Sequence, residues 1–171
     1  AGLANKQRLF ETMRQLYGEG SANGAWSQRD AFDLLEAALT RHMAGLLSKP
    51  QMLTQISEIS ALIEALPTHT VRSEDQIRFQ QFSTPADLAA LCVILAQPLA
   101  TDIVLEPSAG HGALVATLPD VSALHLNEID PRRREKLALL FPDATITGID
   151  GAMLASHLDA AVQLSLIVMN P

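Results

Sequence analysis

The segment Glu106-Pro107-Ser108-Ala109-Gly110-His111-Gly112 joins a carboxylate, a hydroxyl and two glycines one residue apart. Glycines at that spacing let a backbone approach a ligand closely and adopt conformations that side chains resist. Three more polar groups follow short apolar runs: Asn127-Glu128-Ile129-Asp130, Asp150 and Asn170-Pro171. A carboxylate such as Glu128 can accept hydrogen bonds from both hydroxyls of a ribose. Asp150 can accept from the exocyclic amine of an adenine. Together these residues describe a pocket for an adenosine-bearing ligand. A dinucleotide site calls for G-x-G-x-x-G at a helix start that cradles a pyrophosphate. Here Val115 stands where the third glycine would be. Glu106 would repel a pyrophosphate but suits the amino group of a methionine tail. The residues therefore favour S-adenosyl-L-methionine over a nicotinamide.

These residues need a scaffold that brings them to one place. From residue 101 apolar and helical segments alternate. "DIVLEP", "VSALHLNEID", "ATITGID" and "QLSLIVMN" read as strands. "AGHGALVATL" reads as a glycine-rich turn opening a helix, "PRRREKLALLF" as a helix begun by Pro131, and "GAMLASHL" as a helical turn. Such alternation predicts an α/β fold with a parallel sheet and helices on both faces. Ligands in these sheets bind outside the carboxyl ends of the strands, where all four polar groups fall. Upstream, "STPADLAALCVILAQP" predicts a helix with Thr84 as N-cap, Pro85 at the first position and Leu88, Leu91 and Leu95 as its buried face. Residues 68–82 read as irregular. Residues 1–67 read as three helices, with stripes at Phe10, Met13, Leu16 and Tyr17, at Phe32, Leu35, Leu39, Met43 and Leu46 after a cap at Asp30, and at Ile56, Ile59, Ile63 and Leu66. None of these stripes suggests a catalytic cluster.

The sequence resembles the class I S-adenosylmethionine-dependent methyltransferases, specifically the DNA adenine-N6 group in which motif X comes first. "QFSTPADLAALCVILA" resembles motif X, "VLEPSAGHGAL" motif I, "LNEIDP" motif II, "TGIDGAML" motif III and "VMNP" the start of motif IV. The combination is similar to methyltransferase domains of phage and mobile-element proteins that carry a strawberry-notch-type helicase downstream. The resemblance covers residues 77–171 and implies a Rossmann-like sheet, incomplete at its C-terminus, after a helical region over 1–76. It implies that Thr84 touches the methionine end of the cofactor, that Glu106, Ser108, Ala109, Gly110 and Gly112 line its methionine and ribose, that Glu128 holds the ribose hydroxyls, that Ile129 lies against the adenine and that Asp150 accepts from the adenine amine. Asn170 and Pro171 would accept hydrogen bonds from the target amine and aim its lone pair at the methyl group. The family motif continues with a second proline and an aromatic ring beyond Pro171, so the chain as given is expected to be inactive alone. The implied partners are DNA and downstream domains of a larger polypeptide. Methylation of RNA or protein glutamine, and a non-catalytic cofactor-binding or scaffolding role, are the alternatives.

Bulk properties set limits on these readings. The chain has 171 residues and a formal charge of −7, which argues against a strongly basic nucleic-acid footprint on this chain. Cys92 is the single cysteine, so no intrachain disulfide forms, and it reads as a small packed hydrophobe. With no signal peptide and no apolar run of the ~18 residues a membrane helix needs, a cytoplasmic location is expected. No metal site is expected, and His111 and His42 read as rim or core residues. Trp26 reads as a loop anchor, Asp130 as a helix cap, and Arg132-Arg133-Arg134 as the solvated face of a helix.

Overall fold

In a computed structural model, residues 5–20, 24–46, 52–67 and 83–170 are described. Pro171 and the predicted irregular segment 68–82 lie outside them. Four strands form one parallel sheet: β1 (Ile103–Glu106), β2 (Ala123–Asn127), β3 (Thr145–Thr147) and β4 (Leu166–Ile167), in the order β3-β2-β1-β4. This is the first part of the doubly wound order 3-2-1-4, with its topological switch between β1 and β4. In register, Val104 faces both Leu124 and Leu166, and Leu126 faces Ile146. The α/β class and the parallel sheet agree with the alternation in the sequence. The strands are shorter than the apolar runs that predict them, above all β4.

All but one of the predicted helices appear, with revised ends and faces. They are α1 (Lys6–Tyr17), α2 (Gln28–Leu46), α3 (Met52–Ala65), α4 (Ala86–Ala96), α5 (Pro131–Leu140) and α6 (Leu154–His157). In α1 the inward residues are Leu9, Phe10 and Met13, while Leu16 and Tyr17 are exposed. Trp26 anchors the following loop as predicted: its Nε1 donates to the Gly18 carbonyl at 3.0 Å and its ring lies 5.6 Å from that of Phe10. Asp30 serves the start of α2, but not as the cap itself. Ser27 caps: its Oγ accepts from the Asp30 amide, and the Asp30 carboxylate accepts from the Ser27 amide at 2.8 Å. This reciprocal box satisfies two otherwise orphaned amides. Ser27→Ala should cost about 1 kcal/mol, measured as a lower urea midpoint; an unchanged midpoint would mean that packing alone sets the start of α2.

The largest revision concerns α4. Leu88, Leu91 and Leu95 are exposed, and Ala86, Ala89, Ala90 and Val93 are buried. The helix is apolar on every side, so periodicity cannot choose its inner face. Its alanines permit close approach to Met43 of α2 and Ile59 of α3, and the same cluster takes in Leu114 and Ala116. Cys92 is exposed rather than packed. Pro85, with extended ψ of 134°, stands at the cap position, and Thr84 makes no capping bond. The predicted helix after the glycine turn is absent. Residues 110–117 wind as successive tight turns, with the amides of Val115 and Leu118 donating to the Gly112 and Val115 carbonyls at 3.1 Å each. A second cluster around Val104, Val115, Leu126 and Leu137 packs these turns against the sheet and α5. No helix among the described residues is long and apolar enough to cross a membrane.

Candidate active site

At the carboxyl ends of the strands a cavity of about 570 Å³ opens, within the roughly 300–1,000 Å³ usual for small-molecule sites. Every strand contributes to its wall. Pro107, Ser108, Ala109, Gly110 and His111 follow β1; Asn127, Glu128 and Ile129 end β2; Ile149, Asp150 and Gly151 follow β3; Asn170 follows β4. Thr84, from the segment before α4, joins this rim: Asn170 Nδ2 donates to its hydroxyl at 3.1 Å across 86 positions of sequence. With Nδ2 so used, Oδ1 is the atom of Asn170 left to accept a hydrogen bond.

The rim is held by side chains with their own structural duties. Asn127 is buried, and its amide makes four bonds. Nδ2 donates to the carbonyls of Pro107 (3.0 Å) and Ile149 (2.8 Å), and Oδ1 accepts from the Thr147 hydroxyl (2.8 Å) and the Ile149 amide (2.9 Å). It stitches the exits of β1, β2 and β3 together. Its position at a strand end was visible in the sequence; its role as a hub was not. Glu128 is also buried. Its Oε2 accepts from the Gly110 amide and its Oε1 from the Asp130 amide, each at 2.8 Å. The carboxylate therefore has a structural reason to be acidic, which sequence reading did not supply. Each oxygen keeps a further lone pair for a ligand hydroxyl. Ile129 is 39% exposed at the cavity edge. Asp150 is exposed and caps the turn at Gly151–Met153 by accepting from the Ala152 amide at 3.0 Å.

Two of the expected ligand-lining residues stand behind the wall. Gly112 has φ +81°, and a Cβ there would collide with the Phe141 ring and lie 3.1 Å from Leu137. Its lack of a side chain serves close packing onto α5. Glu106 is fully buried. Its Oε1 accepts from the Ser108 amide at 3.2 Å and its Oε2 has no partner. Burial pushes this carboxyl up to about 7, and the charge of Glu128 adds to the shift. The expected contact between a Glu106 carboxylate and a ligand amine is thus corrected: at neutral pH the group is close to half protonated and does not line the cavity.

The cavity also takes residues from α2, which sequence reading left without a function. Glu36, Leu39, Thr40 and Met43 form part of its wall. Glu36 Oε2 accepts from the Ser83 hydroxyl at 2.6 Å and meets His111 Nδ1 at 2.8 Å. Burial works to raise the Glu36 carboxyl, but the bond and charge of His111, the Ser83 hydroxyl and the Arg133 guanidinium together hold it below the usual value. His111 is buried under α2 and helps to shape the rim, as expected.

The arginine run is not a solvated face. Asp130 caps α5 by accepting from the Arg132 amide at 2.9 Å, as predicted, and also pairs with Arg29 of α2. Arg134 donates to the carbonyls of Glu128 and Ile129 at 2.9 and 2.8 Å, covering Gly148. Arg133 is buried in the cavity wall, and only Arg132 is largely exposed. Acidic and basic side chains on α2 and α5 complement one another, so the basic run serves intramolecular packing.

No family model matches the sequence, and no curated protein matches it significantly. Among solved structures, the chain is similar to a proposed RNA methyltransferase from Pyrococcus horikoshii, at 19% identity and a TM-score of 0.49. The match covers 69% of this chain and 60% of the other.

Proposed function

We propose that this chain is the cofactor-binding portion of an S-adenosylmethionine-dependent methyltransferase that acts on the N6 amine of adenine in DNA. One observation carries the reading. Residues from the five motif-like segments, far apart in sequence, converge on a single cavity: Thr84, the turn 107–111, Glu128 with Ile129, Asp150, and Asn170. The motif resemblance supplies the choice of DNA adenine as substrate. The helical region 1–76, by this reading, is an extension that completes the cavity wall through α2.

The chain's own residues suit such a ligand. Glu128, fixed by two amides, can accept from ribose hydroxyls; Ile129 offers an apolar face to a base; Asp150 can accept from an amine. When bound, S-adenosylmethionine supplies an electrophilic methyl group on a sulfonium. The task left to the protein is alignment, because the attacking nitrogen must approach in line with the bond that breaks. The Oδ1 of Asn170 and the carbonyl of Pro171 would hold the target amine. An adenine inside a duplex would have to be flipped out to reach them. Partner DNA would be engaged through surfaces beyond this acidic chain, in the downstream domains that the resemblance implies.

The test is transfer of a labelled methyl group from S-adenosylmethionine in the intact parent polypeptide. Label in N6-methyladenine of DNA, lost in Asn170→Ala, is the expected result. Label in RNA or on protein glutamine instead would reassign the substrate. Absence of label on all three, from folded protein that binds the cofactor, would leave the scaffolding reading.

A further inference from the structure

The cavity wall carries opposite charges on two side chains that lie outside the motif segments. Arg133 of α5 is 4% exposed and belongs to the wall. Its Nε has no hydrogen-bond partner, and its Nη1 lies 3.7 Å from where a Cβ on Gly110 would stand. A guanidinium presents five donors in a planar fork that matches a carboxylate. Burying one without a bonded anion is unfavourable, so its position at a cavity calls for an acidic group from the ligand. In the same wall, Glu36 of α2 is fixed at Oε2 by Ser83 and His111. Arg133 is near enough to act on the Glu36 charge, yet no ion pair joins them among the described residues. A cation and an anion that line one cavity without pairing with each other are the complement of a zwitterion.

We infer that Arg133 and Glu36 form an amino-acid subsite, in which Arg133 receives an α-carboxylate and Glu36 the neighbouring α-ammonium of the ligand. The inference rests on the cofactor reading above and deepens it. It moves recognition of the methionyl end from the buried Glu106 to a pair that the helical region helps to build. Glu128 and Asp150, on the loops after β2 and β3, remain for the adenosine end.

Calorimetric titration with three probes tests it: S-adenosylmethionine, its decarboxylated form, and 5′-methylthioadenosine, which lacks the amino-acid group. The chain should bind S-adenosylmethionine roughly ten- to a hundredfold more tightly than the decarboxylated form, the range for charge-assisted bonds. Non-specific attraction to an acidic protein would favour the more cationic decarboxylated form, so it cannot produce this preference. Arg133→Gln should abolish the margin and leave methylthioadenosine affinity unchanged. Equal binding of the first two probes by the unaltered chain would overturn the subsite while leaving an adenosine pocket, and this arm needs no variant to fold. A margin that survives Arg133→Gln would also overturn it. Failure of the folded chain to bind any of the three would overturn both the subsite and the cofactor reading.

Discussion

Asn127→Leu is expected to lower the unfolding free energy by about 3–5 kcal/mol, read as a fall in the urea midpoint at unchanged slope. Leucine keeps the branched skeleton but is bulkier, so some crowding adds to the loss of the polar hub. The substitution strands the carbonyls of Pro107 and Ile149, the Ile149 amide and the Thr147 hydroxyl. Each group left unsatisfied in a buried place costs about 1–3 kcal/mol, and water entering from the cavity offsets part of the sum. The loops after β1 and β3 are tied to β2 by this one amide, so ligand affinity should fall with stability. A loss below about 1 kcal/mol would show that the strand exits hold their geometry without the hub.

The hub illustrates what a sequence conveys and what it withholds. The strand ends were legible because apolar runs stop at polar residues, and a parallel sheet sends all such ends to one rim. By that rule Ser108, Gly110, Glu128, Asp150 and Asn170 share one rim, and all five line the cavity. What each polar side chain bonds to depends on loops that meet only in three dimensions. Hence Glu128 and Asn127 look alike as strand-end polar residues, yet one faces two amides and the other two carbonyls, a hydroxyl and an amide.

Helix faces were legible only where composition was asymmetric. In α2 the predicted stripe is buried at Phe32 and Met43 and half-buried at Leu35 and Leu39, while the Leu46 side chain lies outside the described residues. In α4 leucine and alanine alternate around the whole helix, and the choice between them is made by how closely α3 and the turn segment can approach. Alanine wins because it permits the shorter distance, which leaves Leu88 and Leu95 outside. The same reasoning explains Arg133. A run of three arginines on a helix suggests solvent, and only the arrival of α2 over α5 converts the middle one into part of a cavity wall.

Glu106 carries the prediction with the clearest sign. Its carboxyl stands at about 7 in the folded protein against a reference of 4.5. A folded value above the unfolded one means that the stabilising form is the protonated one. Its contribution is fully present below the unfolded value and is lost as the pH rises through the folded value. Between about pH 5 and pH 8 the unmodified chain should therefore lose about 3 kcal/mol relative to Glu106→Gln, which cannot ionise but can keep the bond from the Ser108 amide. The carboxylates held low act in a different window. The Leu99 amide and Ser165 hydroxyl hold Asp102 down, and in Asp30 burial works upward but the Ser27 bonds with the charges of Arg132 and Lys136 together hold the carboxyl low. These groups, with Glu36, lose their contributions as the pH falls through their depressed folded values, below their reference values of 3.8 and 4.5, and so leave the interval above untouched. Urea unfolding of both proteins across this interval measures the difference. Parallel curves would mean that Glu106 ionises freely, with water or a shifted main chain supplying the partner its Oε2 lacks; converging curves toward acid pH would confirm that the first strand ends on a carboxyl the fold keeps neutral.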